Sequence, residues 1–238
     1  MSEASTDRPK IELPHRQIIC SYDDVSVIRC AATTVKQNLA MDEQFAQLAS
    51  QTGERTVRFW WGGSPTLVLG CADKPEVALD LEECGRRGIG WVKRITGGGT
   101  VLQSSGIFNY SYTAPDPGGL DIKKTFETGA RFVIDGLAKL GLDAHYCGIS
   151  DIAVGDRKIS GNAQARKWRS ILLHGSVLVE MDFDLLTAVL RHPCREPDYR
   201  RSRCHCDFLT TMRNLSVTAS LEAIEAAFVE SATAFLQR

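Results

Sequence analysis

The chain has 238 residues, with 28 basic and 29 acidic side chains and 43% hydrophobic residues, a composition typical of an ordinary soluble protein of about one domain. The near-zero net charge argues against a nucleic-acid-binding protein that relies on bulk electrostatic attraction. No apolar run approaches the roughly 20 residues of a membrane span, and the N-terminus carries no hydrophobic signal core, so the sequence predicts a cytoplasmic location and no membrane partner.

Residues 1–16 are polar and contain two prolines, which predicts a flexible N-terminal arm ahead of a single domain over residues 17–238. The spacing of apolar residues indicates helices and strands in mixed order, without strict strand–helix–strand repetition, and therefore an α+β fold. Gly141 is expected to end one helix and Ser220 to begin another. In chain order the predicted elements are helix 35–50, strands 56–61 and 66–70, helix 75–88, strands 91–95 and 107–112, helix 126–140, strand 170–181 and helix 220–235.

Three consecutive glycines follow the strand predicted at 91–95. Glycine accepts left-handed backbone angles and lets the backbone approach a ligand closely. Successive N–H groups in such a loop can bind an anion, and a nearby arginine would add positive charge. The loop matches neither GxGxxG nor GxxxxGK[ST]. We interpret it as a candidate substrate- or nucleotide-binding loop, with a plain connection as the alternative; its candidate residues are Arg94, Gly97, Gly98, Gly99 and Thr100.

The segment 151–160 has two four-residue arms around a Gly-Asp dipeptide, which predicts a tight β-hairpin with a two-residue turn. In that register Asp151 lies opposite Ser160, and Asp151, Lys158 and Ser160 share one polar face. A face that carries a carboxylate, an ammonium and a hydroxyl suits a catalytic or binding site. A solvated surface hairpin is the alternative interpretation.

Together the stretches RITGGGTVLQ, SDIAVGDRKISGNA and LLHGSVLV resemble the catalytic domain of the lipoate-protein ligase and octanoyltransferase family, which is akin to biotin-protein ligases. The resemblance is closest to the lipoate-protein ligase A type and covers residues 20–235. It implies one α+β domain with mainly antiparallel mixed sheets flanked by helices. The chain departs from the ligase pattern at three places, because Ser150 replaces an Asn, Asn162 replaces a Ser, and Gln103–Ser104 stands where the ligases have His-Asp.

The resemblance implies a ligase that uses ATP and Mg²⁺ to activate lipoate or octanoate as an acyl-AMP. The acyl group would then pass to a lysine of a lipoyl carrier domain, such as the glycine cleavage H protein or a dehydrogenase E2 subunit. Lys158 is the candidate catalytic cation that stabilises negative charge on the acyl and phosphate oxygens, and Asp151 would orient it or a bound cation. The residues expected to shape the nucleotide end are Ser160, Gly161 and Asn162.

Two alternatives stay open within this resemblance. Cys147 lies just upstream of the hairpin, and some octanoyltransferases of the superfamily carry a nucleophilic cysteine in a similar place, although here the spacing to Asp151 is one residue shorter. A transferase would carry an octanoyl or lipoyl group from carrier to carrier as a thioester on Cys147, without ATP. A non-catalytic module that binds lipoyl carriers is the other alternative. His174 is a further candidate binding residue, with a structural role as the competing interpretation.

The eight cysteines are interpreted mainly as small hydrophobic residues of a cytosolic chain. A zinc site could be built from Cys194, Cys204, His205 and Cys206, but no CxxC pair is present, so we predict no metal ligands. The segment 191–203 contains five arginines and one histidine. It predicts a solvated basic loop, or alternatively a docking surface for an acidic carrier or a lid over a nucleotide.

Overall fold

The computed structural model of the protein describes residues 17–22, 25–119 and 121–237, so the predicted N-terminal arm lies outside the described residues. The strands are β1 (Gln17–Tyr22), β2 (Val25–Arg29), β3 (Arg55–Trp61), β4 (Thr66–Leu69), β5 (Gly90–Lys93), β6 (Val101–Gln103), β7 (Ile107–Pro115), β8 (Ala144–Cys147), β9 (Asp151–Val154), β10 (Arg157–Lys167) and β11 (Ser170–Leu178). The helices are α1 (Val35–Thr52), α2 (Pro75–Ala78), α3 (Leu81–Arg87), α4 (Ile122–Lys139), α5 (Phe183–Val189), α6 (His205–Phe208) and α7 (Leu221–Leu236).

The strands form two sheets. The larger has eight strands in the order β1-β2-β3-β7-β11-β10-β9-β8, and the smaller has the order β5-β4-β6. Neighbouring strands run antiparallel except in the pairs β2–β3 and β4–β5. The predicted α+β class with mainly antiparallel mixed sheets is therefore confirmed. None of the helices in the described part of the chain combines the length and apolarity that crossing a membrane requires.

One face of the large sheet is covered by α4 and α7. The ring of Phe108 on β7 lies 5.2 Å from that of Phe228 on α7, and the ring of Tyr110 lies 5.3 Å from that of Phe132 on α4. All four side chains are fully buried. Burying such large apolar rings away from water stabilises this layer by about 1.5–3 kcal/mol for each ring. The main core therefore lies between this sheet face and the two long helices.

The opposite face of the large sheet is covered by α1, which begins at a reciprocal cap. The Thr34 hydroxyl accepts from the Gln37 amide, and the Gln37 side chain accepts from the Thr34 amide. Met41 and Phe45 of this helix pack in one cluster with Ile28 of β2. Polar residues of α1 also face the sheet here. Polar functional groups can therefore be placed on this side of the sheet, whereas the side covered by α4 and α7 is apolar.

Several element boundaries differ from the sequence prediction. The single helix predicted at 75–88 is two short helices, because the Asp80 carboxylate accepts from the Glu83 amide and starts α3 as a separate helix. The strand predicted at 170–181 ends at Leu178. Ser220 caps α7 as predicted, and Gly141 has the left-handed φ of +81° expected of a residue that follows a helix end.

Gly175 lets one aromatic side chain cross the middle strand of the sheet. It pairs with Tyr110 of β7 on one side and with Asn162 of β10 on the other. A Cβ at position 175 would lie 2.6 Å from the Cζ of Tyr110 and 2.7 Å from the backbone oxygen of Gly161. The Tyr110 phenol therefore passes over a strand position that has no side chain and reaches β10.

We expect Gly175→Ala to lower the free energy of unfolding by about 1–3 kcal/mol, because the added methyl overlaps a fully buried ring that cannot retreat. Gly90→Ala in β5 is the matched control, since a Cβ there meets nothing within 4 Å. Urea denaturation followed by circular dichroism measures both variants. Equal stability of the two variants would contradict the proposed crossing.

Candidate functional site

The Lys158 ammonium and the Asp151 carboxylate form an ion pair on the α1 side of the sheet. The Nζ atom lies 2.7 Å from Oδ1, and the two side chains are 25% and 8% exposed. A Cβ at Gly161 would lie 2.7 Å from the same Nζ atom. The lysine side chain therefore folds across the backbone of Gly161 to reach its partner, a contact that only glycine permits.

The predicted hairpin register is wrong beyond Lys158. Ile159 is an extra residue in β10, so Ser160 lies opposite Ile152 and Gly161 lies opposite Asp151. Such a bulge shifts the later side chains of the strand to the other face. Lys158 and Asp151 still meet as the sequence predicted, but Ser160 does not share their face.

Ser160 and Asn162 instead point toward the aromatic core. The Ser160 hydroxyl lies 3.2 Å from the phenol of Tyr110, and the Asn162 side-chain oxygen accepts from that phenol. The Asn162 amide nitrogen donates to the backbone oxygen of Ser150 at 2.8 Å. Burial raises the pKa of the Tyr110 phenol, so it stays protonated as the donor. The expected contact of Ser160 and Asn162 with a nucleotide stays a prediction, and their observed contacts are structural.

Arg94 fixes the backbone conformation of the glycine loop. Its guanidinium is buried and donates to the backbone oxygens of Gly97 at 2.7 Å and Gly99 at 2.8 Å. Burial lowers the pKa of Arg94 to about 10, so the side chain remains charged at neutral pH. The C=O and N–H of one peptide point in opposite directions, so the amides of Gly98 and Thr100 point away from Arg94. Amides presented in this way can bind an anion.

Residues that the sequence analysis missed hold the other side of this loop. The Thr100 hydroxyl donates to the Asp73 carboxylate at 2.8 Å. A Cβ at Gly70, the residue directly after β4, would collide with the backbone oxygen of Gly98, so only glycine fits where the loop crosses this position. Gly98 itself has a φ of +81°, which strongly favours glycine. The sequence signal for Asp73 and Gly70 was too weak to single them out.

His174 links the loop to the interior through buried polar contacts. Its Nε2 lies 2.7 Å from the Thr96 hydroxyl, which accepts from Nε of Arg94 at 2.9 Å. Its Nδ1 lies 3.1 Å from the Asp42 carboxylate on α1, and Asp42 also pairs with the fully buried Arg58 at 2.7 Å. The structural interpretation of His174 thus has direct support, because the imidazole is bonded on both sides within the protein.

The charge on Asp42 is set by two opposing effects. Burial raises the pKa of its carboxyl. The neighbouring Arg58 guanidinium and the His174 ring lower this pKa by more than burial raises it, so the net pKa lies below its usual value. Asp42 is therefore ionised at neutral pH and bridges a guanidinium and an imidazole in the interior.

The loop and the ion pair lie side by side on β10. A Cβ at Gly98 would lie 3.9 Å from the Cβ of Ala163, while the Lys158 ammonium lies over Gly161. Two residues along a strand span about 7 Å, so the loop and the ammonium contact neighbouring positions on the same face of β10. We call the surface between the Lys158 ammonium and the glycine loop the cleft. A cation and outward-pointing N–H groups on one surface suit a ligand with two neighbouring oxyanions.

Residues 191–209, which we call the strap, reach this cleft from outside. Tyr199 donates its hydroxyl to Oδ2 of Asp151 at 2.9 Å, and its ring lies 3.5 Å from where a Cβ of Gly148 would be. Burial, together with the negative charge of Asp151, raises the pKa of the Tyr199 phenol. Arg200 is buried in the strap, and Arg203 bonds Asp156 at 2.9 Å. The strap is therefore not simply a solvated loop, and sequence reasoning missed Tyr199.

Cys147 lies at the end of β8, directly opposite Asp151 in the pairing with β9. Directly opposite residues in an antiparallel pair have Cβ atoms about 4.5–5.5 Å apart on the same face. The half-buried thiol therefore shares the face that carries Asp151 and Lys158. The spacing that differs by one residue from the octanoyltransferase pattern still brings the cysteine to the cleft.

Comparison with known proteins identifies the family. A family model described as the lipoyl protein ligase A/B catalytic domain matches residues 34–233. The chain belongs to this family. Octanoyltransferase LipM of Kyrpidia tusciae is 30% identical over 223 residues, which cover 81% of this chain and 80% of the relative. Lipoate-protein ligase A subunit 1 of Thermoplasma acidophilum is 30% identical over 168 residues, which cover 66% of this chain and 63% of the relative.

Solved structures of the family share the fold. The bi-partite lipoate protein ligase of T. acidophilum, described together with its E2 lipoyl domain, has a TM-score of 0.76 and 25% identity, over 90% of this chain and 82% of that one. A crystal structure of lipoate-protein ligase A bound with ATP has a TM-score of 0.75 and 25% identity, over 90% and 85% of the two chains. The resemblance stated from the motifs is confirmed, and the protein is an enzyme of the lipoate ligase and octanoyltransferase family.

We expect Asp42→Asn to lower the free energy of unfolding by roughly 3–5 kcal/mol at pH 7, because Arg58 loses its buried counter-charge. The folded-state pKa of Asp42 is depressed, so the stabilisation is complete above its unfolded pKa of about 3.9 and is lost as the pH falls through the folded value. The gap between wild type and variant should therefore shrink in acid. Urea denaturation at several pH values measures it, with Asp135→Asn on the exposed face of α4 as control. A gap independent of pH would contradict this assignment.

We expect Gly98→Val to abolish binding of octanoate and of ATP in a protein that still folds. A left-handed backbone costs a side-chain-bearing residue about 1–2 kcal/mol, and the new Cβ would lie 3.1 Å from an Arg94 nitrogen, which displaces the loop. Isothermal titration calorimetry measures both affinities. Gly63→Val is the control, since a Cβ there meets nothing within 4 Å. Unchanged affinities in Gly98→Val would show that the loop is only a connection.

Proposed function

We propose that the protein is a lipoate-protein ligase that joins lipoate or octanoate to a lysine of a lipoyl carrier domain through an acyl-AMP. One observation carries the proposal: buried Arg94 holds two carbonyls of the glycine loop inward, so that the Gly98 and Thr100 amides point outward. The glycine loop packs against Ala163 of β10, two residues along that strand from Gly161, over which the Lys158 ammonium lies. An acyl-AMP joins a carboxyl oxygen to a phosphate, and the cleft offers donors for two such neighbouring groups.

The chain's own residues supply fixed positive charge where negative charge develops. Lys158 would contact the carboxyl and phosphate oxygens, and Asp151 and Tyr199 hold that side chain in place through one hydrogen-bonded chain. Fixed donors in a site that excludes water are usually the largest contribution to catalysis of this type.

The donor set agrees with ATP as a co-substrate and with Mg²⁺ that arrives on the nucleotide. Among the described residues, no group of three metal-ligating side chains gathers in this cleft, and Asp151 and Asp73 are already bonded to Lys158 and Thr100. Magnesium in nucleotide sites commonly keeps few protein ligands. ATP supplies the adenylate that activates the carboxyl group, and we place the reaction in the cytoplasm, where ATP is available.

The proposed acceptor is a lysine on a lipoyl carrier domain, either a glycine cleavage H protein or a dehydrogenase E2 subunit. The description of the T. acidophilum ligase together with its E2 lipoyl domain supports the second type. The acceptor amine would enter between the strap and the glycine loop, near the place where the Tyr199 ring lies against Gly148.

An ATP-independent transferase is the second candidate, and the position of Cys147 supports it. The thiol shares the face of Lys158 and Asp151, and several similar proteins are octanoyltransferases. In that reaction the Cys147 thiolate attacks the acyl carbonyl, the first carrier leaves with a proton, and the acceptor lysine then displaces the thiol. The intact Lys158–Asp151 pair argues against a non-catalytic carrier-binding module.

One experiment separates the two chemistries. Purified protein is incubated with an apo-carrier domain and either octanoate plus ATP or octanoyl-carrier without ATP, and acylation is followed by intact mass. The ligase predicts carrier acylation with octanoate only when ATP is present. Acylation from octanoyl-carrier alone, at a comparable rate, would favour the transferase.

We expect Lys158→Ala to reduce acyl transfer on the order of 10²-fold or more, because the developing negative charge loses its fixed cation. The fold should persist, since the Lys158 ammonium lies in the cleft and the side chain is only partly buried. Single-turnover kinetics and circular dichroism measure the two properties. Lys139→Ala on α4, which removes an exposed pair with Glu230, is the control, and near-normal turnover in Lys158→Ala would refute the catalytic assignment.

We expect Cys147→Ser to retain most ATP-dependent acylation, because a ligase holds the acyl group as an adenylate rather than a thioester. Intact-mass analysis after incubation with octanoyl-carrier should show no octanoyl adduct on the wild-type enzyme. A hydroxylamine-labile adduct that disappears in Cys147→Ser, together with the activity, would overturn the ligase in favour of the transferase. The acyl-pocket roles of Lys158 and the glycine loop would survive that result.

A further inference from the structure

Three potential metal-ligating side chains converge on the outer surface of the strap. The Sγ atoms of Cys204 and Cys206 lie 2.6 Å apart, and the Cys204 Sγ atom lies 3.0 Å from a carboxylate oxygen of Asp207. The three ligand atoms all lie within 4.8 Å of one another. Both cysteines are free and solvent-exposed, and none of the three residues takes part in the acyl-transfer cleft.

The backbone beneath these side chains is firmly held. Arg157 donates to the backbone oxygens of Cys206 at 2.7 Å and Leu209 at 2.5 Å. Phe208, which follows the cluster, is buried and lies 5.1 Å from the ring of Tyr199. The ligand atoms are thus presented from a segment that does not need to fold around an ion, which reduces the entropy lost when an ion binds.

The chemistry of the cluster favours a cation. Two thiols that ionise to thiolates and one carboxylate lie within 4.8 Å of one another, and bringing such negative groups together is unfavourable without a positive charge between them. Two sulfur ligands and one carboxylate select a thiophilic ion such as Zn²⁺ over Mg²⁺ or Ca²⁺.

The geometry requires one small adjustment. Two thiolates on a tetrahedral zinc ion, with Zn–S bonds of about 2.3 Å, are separated by roughly 3.8 Å. The two exposed side chains must therefore rotate apart by about 1 Å, which their solvent-facing positions permit. His205, which lies between the cysteines, is not available, because it is buried and its Nε2 contacts the backbone oxygen of Arg191 at 3.3 Å.

We propose that Cys204, Cys206 and Asp207 form a three-ligand binding site for a thiophilic metal ion of the Zn²⁺ class. The fourth position faces solvent and takes a water molecule. Sequence spacing alone argued against a closed four-ligand structural site, and that argument does not apply to an open one. The ion would fasten the segment next to Tyr199, and it takes no part in the acyl-transfer chemistry.

Cobalt titration tests the site directly. Full-length protein is reduced, freed of metal and titrated with Co²⁺, whose charge-transfer absorption reports thiolate ligands. We expect one equivalent to bind with a thiolate-to-cobalt band that Zn²⁺ then abolishes. The double variant Cys204→Ser/Cys206→Ser should lose the band, and Asp207→Asn should weaken cobalt binding about 10-fold or more. Cys194→Ser, another exposed cysteine of the strap, is the control that should bind as wild type does.

Two outcomes would overturn the proposal. One is a reduced wild-type protein that shows no thiolate-to-cobalt band, or a band that persists in the folded double variant. The other is a protein that binds no metal when reduced and loses two hydrogens from the peptide containing Cys204 and Cys206 in air, which would identify the pair as a disulfide. Circular dichroism of each variant establishes that loss of binding is not loss of folding.

Discussion

The cleft depends on the contacts that the buried Asp42 carboxylate makes with two neighbouring side chains. The carboxylate lies between the Arg58 guanidinium and the His174 imidazole, so two groups that would be costly to bury alone share one counter-charge. From His174 the polar contacts continue through Thr96 to Arg94, and Arg94 fixes the glycine loop. The buried charge of Asp42 on helix α1 thus helps to set the conformation of the glycine loop at the surface.

The absence of a side chain at particular positions is the second constraint. Lys158 folds over Gly161 to reach Asp151, Tyr110 crosses Gly175 to reach β10, and the Gly98 carbonyl lies against Gly70. At each place a long polar side chain or a loop passes through the volume that a Cβ would fill. These glycines act by leaving space, and only Gly98 among the glycines of these contacts also has a left-handed backbone.

A single surface can carry either of the two chemistries in this family. The cation, its carboxylate partner and the tyrosine of the strap would stabilise negative charge on an acyl carbonyl in both reactions. The Cys147 thiol lies on the same face. In the proposed roles, a ligase and a transferase built on this surface would differ in which group carries the acyl chain between donor and acceptor.

The sequence by itself determined the family, the α+β class, and the Lys158, Asp151 and glycine-loop candidates, because these depend on local patterns and on motifs in a fixed order. It failed where a single residue changes register, since the bulge at Ile159 reverses the faces of Ser160 and Asn162. Only the tertiary structure decided that Asp42 and Tyr199 belong to the site and that Cys204 and Cys206 meet Asp207. Asp42 contacts His174 and Tyr199 contacts Asp151, and in both pairs the residues lie far apart in the chain. The cluster at Asp207 depends on a local backbone path that residue spacing does not specify. No periodicity or motif could therefore show any of these contacts.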